Sequence, residues 1–168
     1  MIKEDICMKR FLISIFLVLL VSGFVSALTE QEIEKTLMNY KEKGYTFEKK
    51  LGKGSWKVSF DTGSWKEAVY IYISQNEANT DFNIVYIYGS VKSYNGDEEL
   101  SKAFEEIVSA MEVNSSTAEW GFFSLYKEDN VWYLDYNVKL RQKYLDEVQL
   151  MNAIGWVAAS VNKYKRGF

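Results

Sequence analysis

Two short runs set the limits on what this chain can become. Ala68–Ile73 reads AVYIYI and Ile84–Tyr88 reads IVYIY. β-Branched and aromatic residues alternating at period two mark strands whose two faces meet different surroundings. In the first run Val69, Ile71 and Ile73 point one way, and Tyr70 and Tyr72 the other. In the second, Val85 and Ile87 share a face, and Ile84, Tyr86 and Tyr88 share the opposite one. Gln75–Asp81 between them, QNEANTD, is turn-rich, so the two runs are expected to pair as an antiparallel hairpin. The aliphatic face requires a core. The tyrosine face can lie under a helix, meet a partner or bind a ligand.

The rest of the chain supplies the other layer and more strands. Thr29 and Glu32 have capping-box spacing, and Ile33, Leu37 and Tyr40 follow at helical spacing. Gly44 suits a helix end, which predicts a first helix over Glu30–Lys43. Tyr45–Leu51 is expected to be an edge strand protected by Lys49 and Lys50. Ser55–Asp61 follows, with Trp56, Val58 and Phe60 on one face. Asp97 is placed to cap a second helix that ends near Val113, with Leu100, Ala103, Phe104, Ile107, Val108 and Met111 as its apolar stripe. Glu119–Tyr126 and Val131–Leu140 form a second hairpin about a four-residue turn, Lys127–Asn130. That turn sets Leu125 against Trp132 and Phe123 against Leu134, with Ser124 opposite Tyr133 and Phe122 opposite Asp135 on a mixed, wetter face. A last helix over Tyr144–Lys163 carries the stripe Tyr144, Val148, Met151, Ile154, Ala158 and Val161, with Leu150, Trp156 and Val157 outside it. The expectation is one α+β domain: a single antiparallel sheet, helices mainly on one face, in the order helix, three or four strands, helix, two strands, helix.

The N-terminus is read as a targeting segment. Lys9 and Arg10 precede an apolar run over Phe11–Val21, and Val25-Ser26-Ala27 supplies small residues for cleavage. Residues 1–27 are therefore expected to be a signal peptide, and 28–168 the folded domain. The alternative is an uncleaved membrane anchor, since Phe11–Leu28 is just long enough to span a bilayer at roughly 18 residues. Met8 would itself make a conventional signal start. Cys7 lies upstream of the apolar run, where a lipoprotein cysteine would not be.

Composition closes off several chemistries. The chain has no His, no Pro and one Cys. Without His or a Cys past residue 7, Ser-His-Asp and Cys-His catalysis are excluded, as are His- or Cys-based zinc and haem sites. The net charge is −3, and loss of the leader's three basic and two acidic residues makes it −4. That argues against a nucleic-acid partner, which needs a basic surface. Gly52-Lys53-Gly54-Ser55 lacks phosphate-loop spacing and reads as a hairpin turn. Asn76, Glu77, Asn79 and Asp81 do not match an EF-hand loop and read as solvated. Lys49, Lys50, Lys53 and Lys57 around Trp56 read as a solvated edge. A carboxylate pair is the one common acid–base scheme left. Asp135 is its best candidate, but is expected to face outward on a half-exposed face. No catalytic residue, metal or cofactor is expected.

Trp120–Leu140, WGFFSLYKEDNVWYLDYNVKL, followed by Leu145–Tyr164, LDEVQLMNAIGWVAASVNKY, and preceded by ELSKAFEEIVSAMEVN, resembles the YbjN family of bacterial sensory transduction regulators. The likeness covers essentially all of residues 28–164 and rests on pattern. It implies a fold like that of type III secretion chaperones, which bind extended segments of other proteins and often dimerise. The export signal and the absence of Pro after the second hairpin depart from that family. The resemblance implies no catalytic residues.

Tyr70, Tyr72, Tyr86 and Tyr88 are the candidate partner-binding residues, since tyrosine offers contact area with a polar tip. The expected function is a non-catalytic, exported protein- or peptide-binding module, chaperone-like or regulatory, with a homodimer as one use of the same patch. The alternative is a small-ligand or carbohydrate binder using the aromatic face. A carboxylate-dependent enzyme comes third. Contact with a membrane is expected only through an uncleaved N-terminal segment.

Overall fold

The computed structural model describes residues 27–76, 82–116 and 121–167, with the backbone alone for 113–116. The signal segment, most of the first hairpin's turn (Glu77, Asn79 and Asp81 included) and Trp120 lie outside the described residues.

The elements are α1 (Glu30–Asn39), β1 (Tyr45–Gly52), β2 (Ser55–Asp61), β3 (Lys66–Ser74), β4 (Ile84–Asn95), α2 (Gly96–Lys102), α3 (Phe104–Ser116), β5 (Phe122–Glu128), β6 (Val131–Arg141) and α4 (Glu147–Gly167). Four strands therefore precede the second helical segment. All six form one antiparallel sheet in the order β1-β2-β3-β4-β6-β5. The fold class is α+β.

The aliphatic alternation builds the core face. Trp56, Val58, Val69, Ile71, Val85, Ile87 and Leu134 are all fully buried. Helix α4 lies over β3, β4 and β6, and brings Leu150, Ile154, Val157, Ala158 and Val161 onto that face. Gly89 lets it approach: a Cβ there would meet Val161 Cγ2 at 2.9 Å and the Ala68 carbonyl oxygen at 3.0 Å. Helix α3 packs on β5, α2 on β4 and β6, and α1 on α4. The Glu67 carboxylate, buried at the end of this layer, takes an ion pair from Lys165.

The capping box at Thr29 and Glu32 forms as the spacing requires. Helix α1 nevertheless stops at Asn39, short of the expected Lys43. The Tyr45 hydroxyl donates to the Leu37 carbonyl oxygen at 2.7 Å, satisfying a terminal acceptor from the next element. Gly44 is thus not a helix cap. It sits at φ +86° in the turn into β1, where a Cβ would lie 2.2 Å from the Asp61 carbonyl oxygen.

The expected second helix is two. It breaks at Ala103, whose N–H is shared between the carbonyls of Glu99 and Leu100. Of the expected stripe, Ile107 is buried and Leu100, Ala103 and Met111 pack against the core, whereas Phe104, expected there too, is 66% exposed and Val108 is exposed as well. Asp97 is not the cap either. It lies inside the first turn of α2 and accepts hydrogen bonds from Lys127 and the Trp132 indole, while Glu99 takes the Asn95 N–H.

The second hairpin turns on two residues rather than four. Asp129 and Asn130 hold φ +46° and +65°, and Glu128 pairs with Val131. A two-residue turn with both φ positive matches the right-handed twist of the strands. Leu125 therefore faces Leu134 and Phe123 faces Tyr136, while Ser124 faces Asp135 and Phe122 faces Asn137. The expected faces hold and the pairing moves by two residues.

Helix α4 begins at Glu147, after a short 3-10 turn over Gln142–Tyr144, with Asp146 accepting the Gln149 N–H. Tyr144 precedes it and is exposed. At 100° per residue Val148 points roughly 120° away from Ile154, and it is exposed rather than in the core.

Candidate functional site

The tyrosines on the other side of the central hairpin do not join the core cluster. Period-two geometry and the register place them in rows across the outer face. One row runs Tyr72, Tyr86, Lys139, and the next runs Tyr70, Tyr88, Asn137, Phe122. Then come Ser90, Asp135, Ser124, and beyond them Tyr133 beside Tyr126.

The tall residues stack along their rows. Tyr72 and Tyr86 lie 4.6 Å apart and 5° from parallel, and Tyr70 and Tyr88 lie 5.3 Å apart. Tyr126 and Tyr133 stack at 5.2 Å on the far side. Between these aromatic walls the small row leaves a trough of about 550 Å³, with Asp135 and Ser124 at its floor. Tyr72, Tyr86 and Tyr88 line it, so three of the four expected residues come together there. Tyr70 stands behind Tyr88, with the Lys57 ammonium 5.8 Å from its ring centre.

Asp135 is set deeper than its strand pattern suggests. It lies on the outer face as expected, but is 1% exposed rather than half exposed. The cause is its row: Asp135 lies between Ser90 and Ser124, deep between the taller rings of Tyr88 and Tyr126 that line the same trough. Ser90 Oγ donates to Asp135 Oδ1 at 2.5 Å. Asn137 turns its amide to Ser124 Oγ (2.7 Å) and to the Asp135 backbone carbonyl (3.0 Å), away from the carboxylate. Among the described residues no Lys or Arg pairs with Asp135.

Burial pushes the Asp135 carboxyl above the usual aspartate range, and the Ser90 hydrogen bond offsets part of that. Tyr88 is pushed up to about 12, first by burial and next by the Asp135 charge. Burial and then the same charge raise Tyr126 as well. Tyr72 is raised by burial and by Tyr86. These phenols therefore stay neutral and able to donate.

The walls also hold a cation. Lys139 Nζ lies 5.1 Å from the Tyr86 ring centre and 4.6 Å from that of Phe122. This face thus offers ring surfaces, neutral hydroxyls and a deep carboxyl. Lys139, Asn137, Ser124 and Tyr126 were not singled out from sequence as site residues. Their signal was present in β6, where Tyr133, Asp135, Asn137 and Lys139 alternate with Leu134, Tyr136 and Val138.

Among the described residues no cluster of three or more carboxylates or thiols is placed to hold a metal, and no helix is long and apolar enough to cross a membrane. No protein-family model matches the chain, and no curated protein matches it.

Proposed function

We propose that this chain is a non-catalytic binding module, exported from the cytoplasm, whose outer sheet face contacts an extended segment of a protein partner. The observation that carries this reading is the segregation of the sheet: the helices bury one face, and the other presents rows of tyrosines outside the core cluster. An aromatic face of this kind, with polar tips, suits a partner site. The resemblance to the YbjN family and its chaperone-like fold points the same way, as does the lack of His and of Cys beyond residue 7.

The trough favours a second reading. A concave site with Ser124, Asn137 and Asp135 beside stacked rings also suits a small ligand or sugar. The test is a pull-down from the exported fraction with wild type and a Tyr70→Ala/Tyr86→Ala variant, alongside mass measurement in solution. Loss of a protein partner by a folded variant supports the first reading. Loss of self-association identifies a second copy as the partner. A folded variant that keeps every partner and its mass rejects the face. Export is tested by N-terminal sequencing of soluble and membrane fractions. A cytoplasmic form retaining Met1 or Met8 would reject it.

A further inference from the structure

We infer that the outer-face trough takes an alkylammonium group, which enters between the Tyr88 and Tyr126 walls and ion-pairs with the free oxygen of Asp135. The inference rests on the outer face being a binding surface.

Three observations carry it. First, Asp135 is 1% exposed and lines the trough, yet only Oδ1 has a hydrogen-bond donor among the described residues. A buried carboxylate without a cation is costly, and an entering positive charge removes that cost. A sugar hydroxyl would hydrogen-bond but leave the charge uncompensated. Second, ring faces line the trough: the Lys139 ammonium rests on those of Tyr86 and Phe122, Lys127 pairs with Asp97, and among the described residues no cation rests on Tyr88 or Tyr126. Third, Ser90 occupies Oδ1, which leaves one oxygen for the ligand. A guanidinium gains most from both oxygens of a carboxylate, whereas an ammonium is a point charge that one oxygen can serve. The trough's volume of about 550 Å³ accommodates the alkyl stem as well.

Such a group can arrive as a lysine side chain on the partner segment or as a free amine. The experiment titrates the folded chain with Nα-acetyl-lysine methylamide, Nα-acetyl-norleucine methylamide, which keeps the four-carbon stem without the ammonium, and cadaverine. Calorimetry gives affinity and backbone amide shifts give the place. The ammonium probes are expected to saturate, with shifts centred on Ser90, Ser124 and Asp135. The norleucine probe should bind roughly tenfold or more weakly. Asp135→Asn should weaken the ammonium probes by a similar factor. Tighter binding of the lysine probe than of cadaverine supports a partner side chain, and the reverse supports a free amine. Equal binding of norleucine and lysine overturns the inference, on the wild-type chain alone. So does unchanged affinity in folded Asp135→Asn, or no saturation by either ammonium probe. If those titrations fail while Tyr70→Ala/Tyr86→Ala still loses its partner, the face stands as a binding surface and the ammonium assignment falls.

Discussion

Ser90 and Asp135 face each other across the β4–β6 pairing, and the serine hydroxyl holds one oxygen of the aspartate at 2.5 Å. The pair makes a buried carboxyl tolerable without neutralising it. Its folded pKa lies above the unfolded value because burial disfavours the charged form. The native state therefore keeps the proton to higher pH than the unfolded chain does. Asp135's favourable contribution is complete below the unfolded pKa and is lost as pH rises through the folded one. Asp135→Asn should then be more stable than wild type at about pH 8 and no more stable near about pH 3. Urea denaturation at the two pH values checks this. The facing phenols Tyr88 and Tyr126 are held too high to titrate in that window. An equal gain at both values would mean that packing, not ionisation, is responsible.

Gly89 is the point where α4 comes closest to the sheet. A methyl group there meets Val161 Cγ2 and the Ala68 backbone within 3.0 Å. Gly89→Ala should cost about 1–3 kcal/mol, because the helix must lift from β3 and β4. Denaturant midpoints measure it, and a neutral result would show that α4 shifts freely.

Helix α4 allows a paired comparison. Ile154 is fully buried and Val148 is 68% exposed, although both belong to one helical stripe in the sequence. Ile154→Ala should cost about 2–5 kcal/mol, and Val148→Ala should stay within about 0.5 kcal/mol of wild type. Thermal or chemical melts of the two variants decide it, and similar costs would place the helix in another rotation.

The β5–β6 turn strains a side chain that glycine would relieve. Asn130 holds φ +65° at the second position of a two-residue turn. Asn130→Gly should raise stability by a few tenths to about 1 kcal/mol, since Asp-Gly is a favoured pair there. A melting shift in the opposite direction would point to the Asn130 side chain as a structural contact beside Gly96.

Much of the fold was legible because burial on one face imposes a two-residue period. Val69, Ile71, Val85 and Ile87 announce the core side without any knowledge of the partner helix. The opposite side was legible only as far as Tyr70, Tyr72, Tyr86 and Tyr88, since those four sit in one hairpin. Their neighbours Tyr126 and Asp135 come from more than 35 residues further along in the chain. Only the β4–β6 pairing brings them beside Tyr88. Asp135's burial was illegible for the same reason: it depends on the height of rings in adjacent rows. Pairing in the second hairpin hung on whether Asp129 and Asn130 would take positive φ, and the division of the second helix hung on a single break at Ala103. Local propensity decides neither.

Strand β4 is the seam of the molecule. On one side it closes a meander in which β1 to β4 pair in order, and on the other it receives β6 of the C-terminal hairpin. Tyr72 and Tyr86 can stack as soon as the meander forms. Asp135, Ser124 and Tyr126 arrive only when the second hairpin zips onto β4. A ligand of the proposed kind would therefore need both halves joined, since the meander alone supplies the aromatic wall without the charge behind it. Ligand capture would report that the two halves have joined, and would stabilise the join.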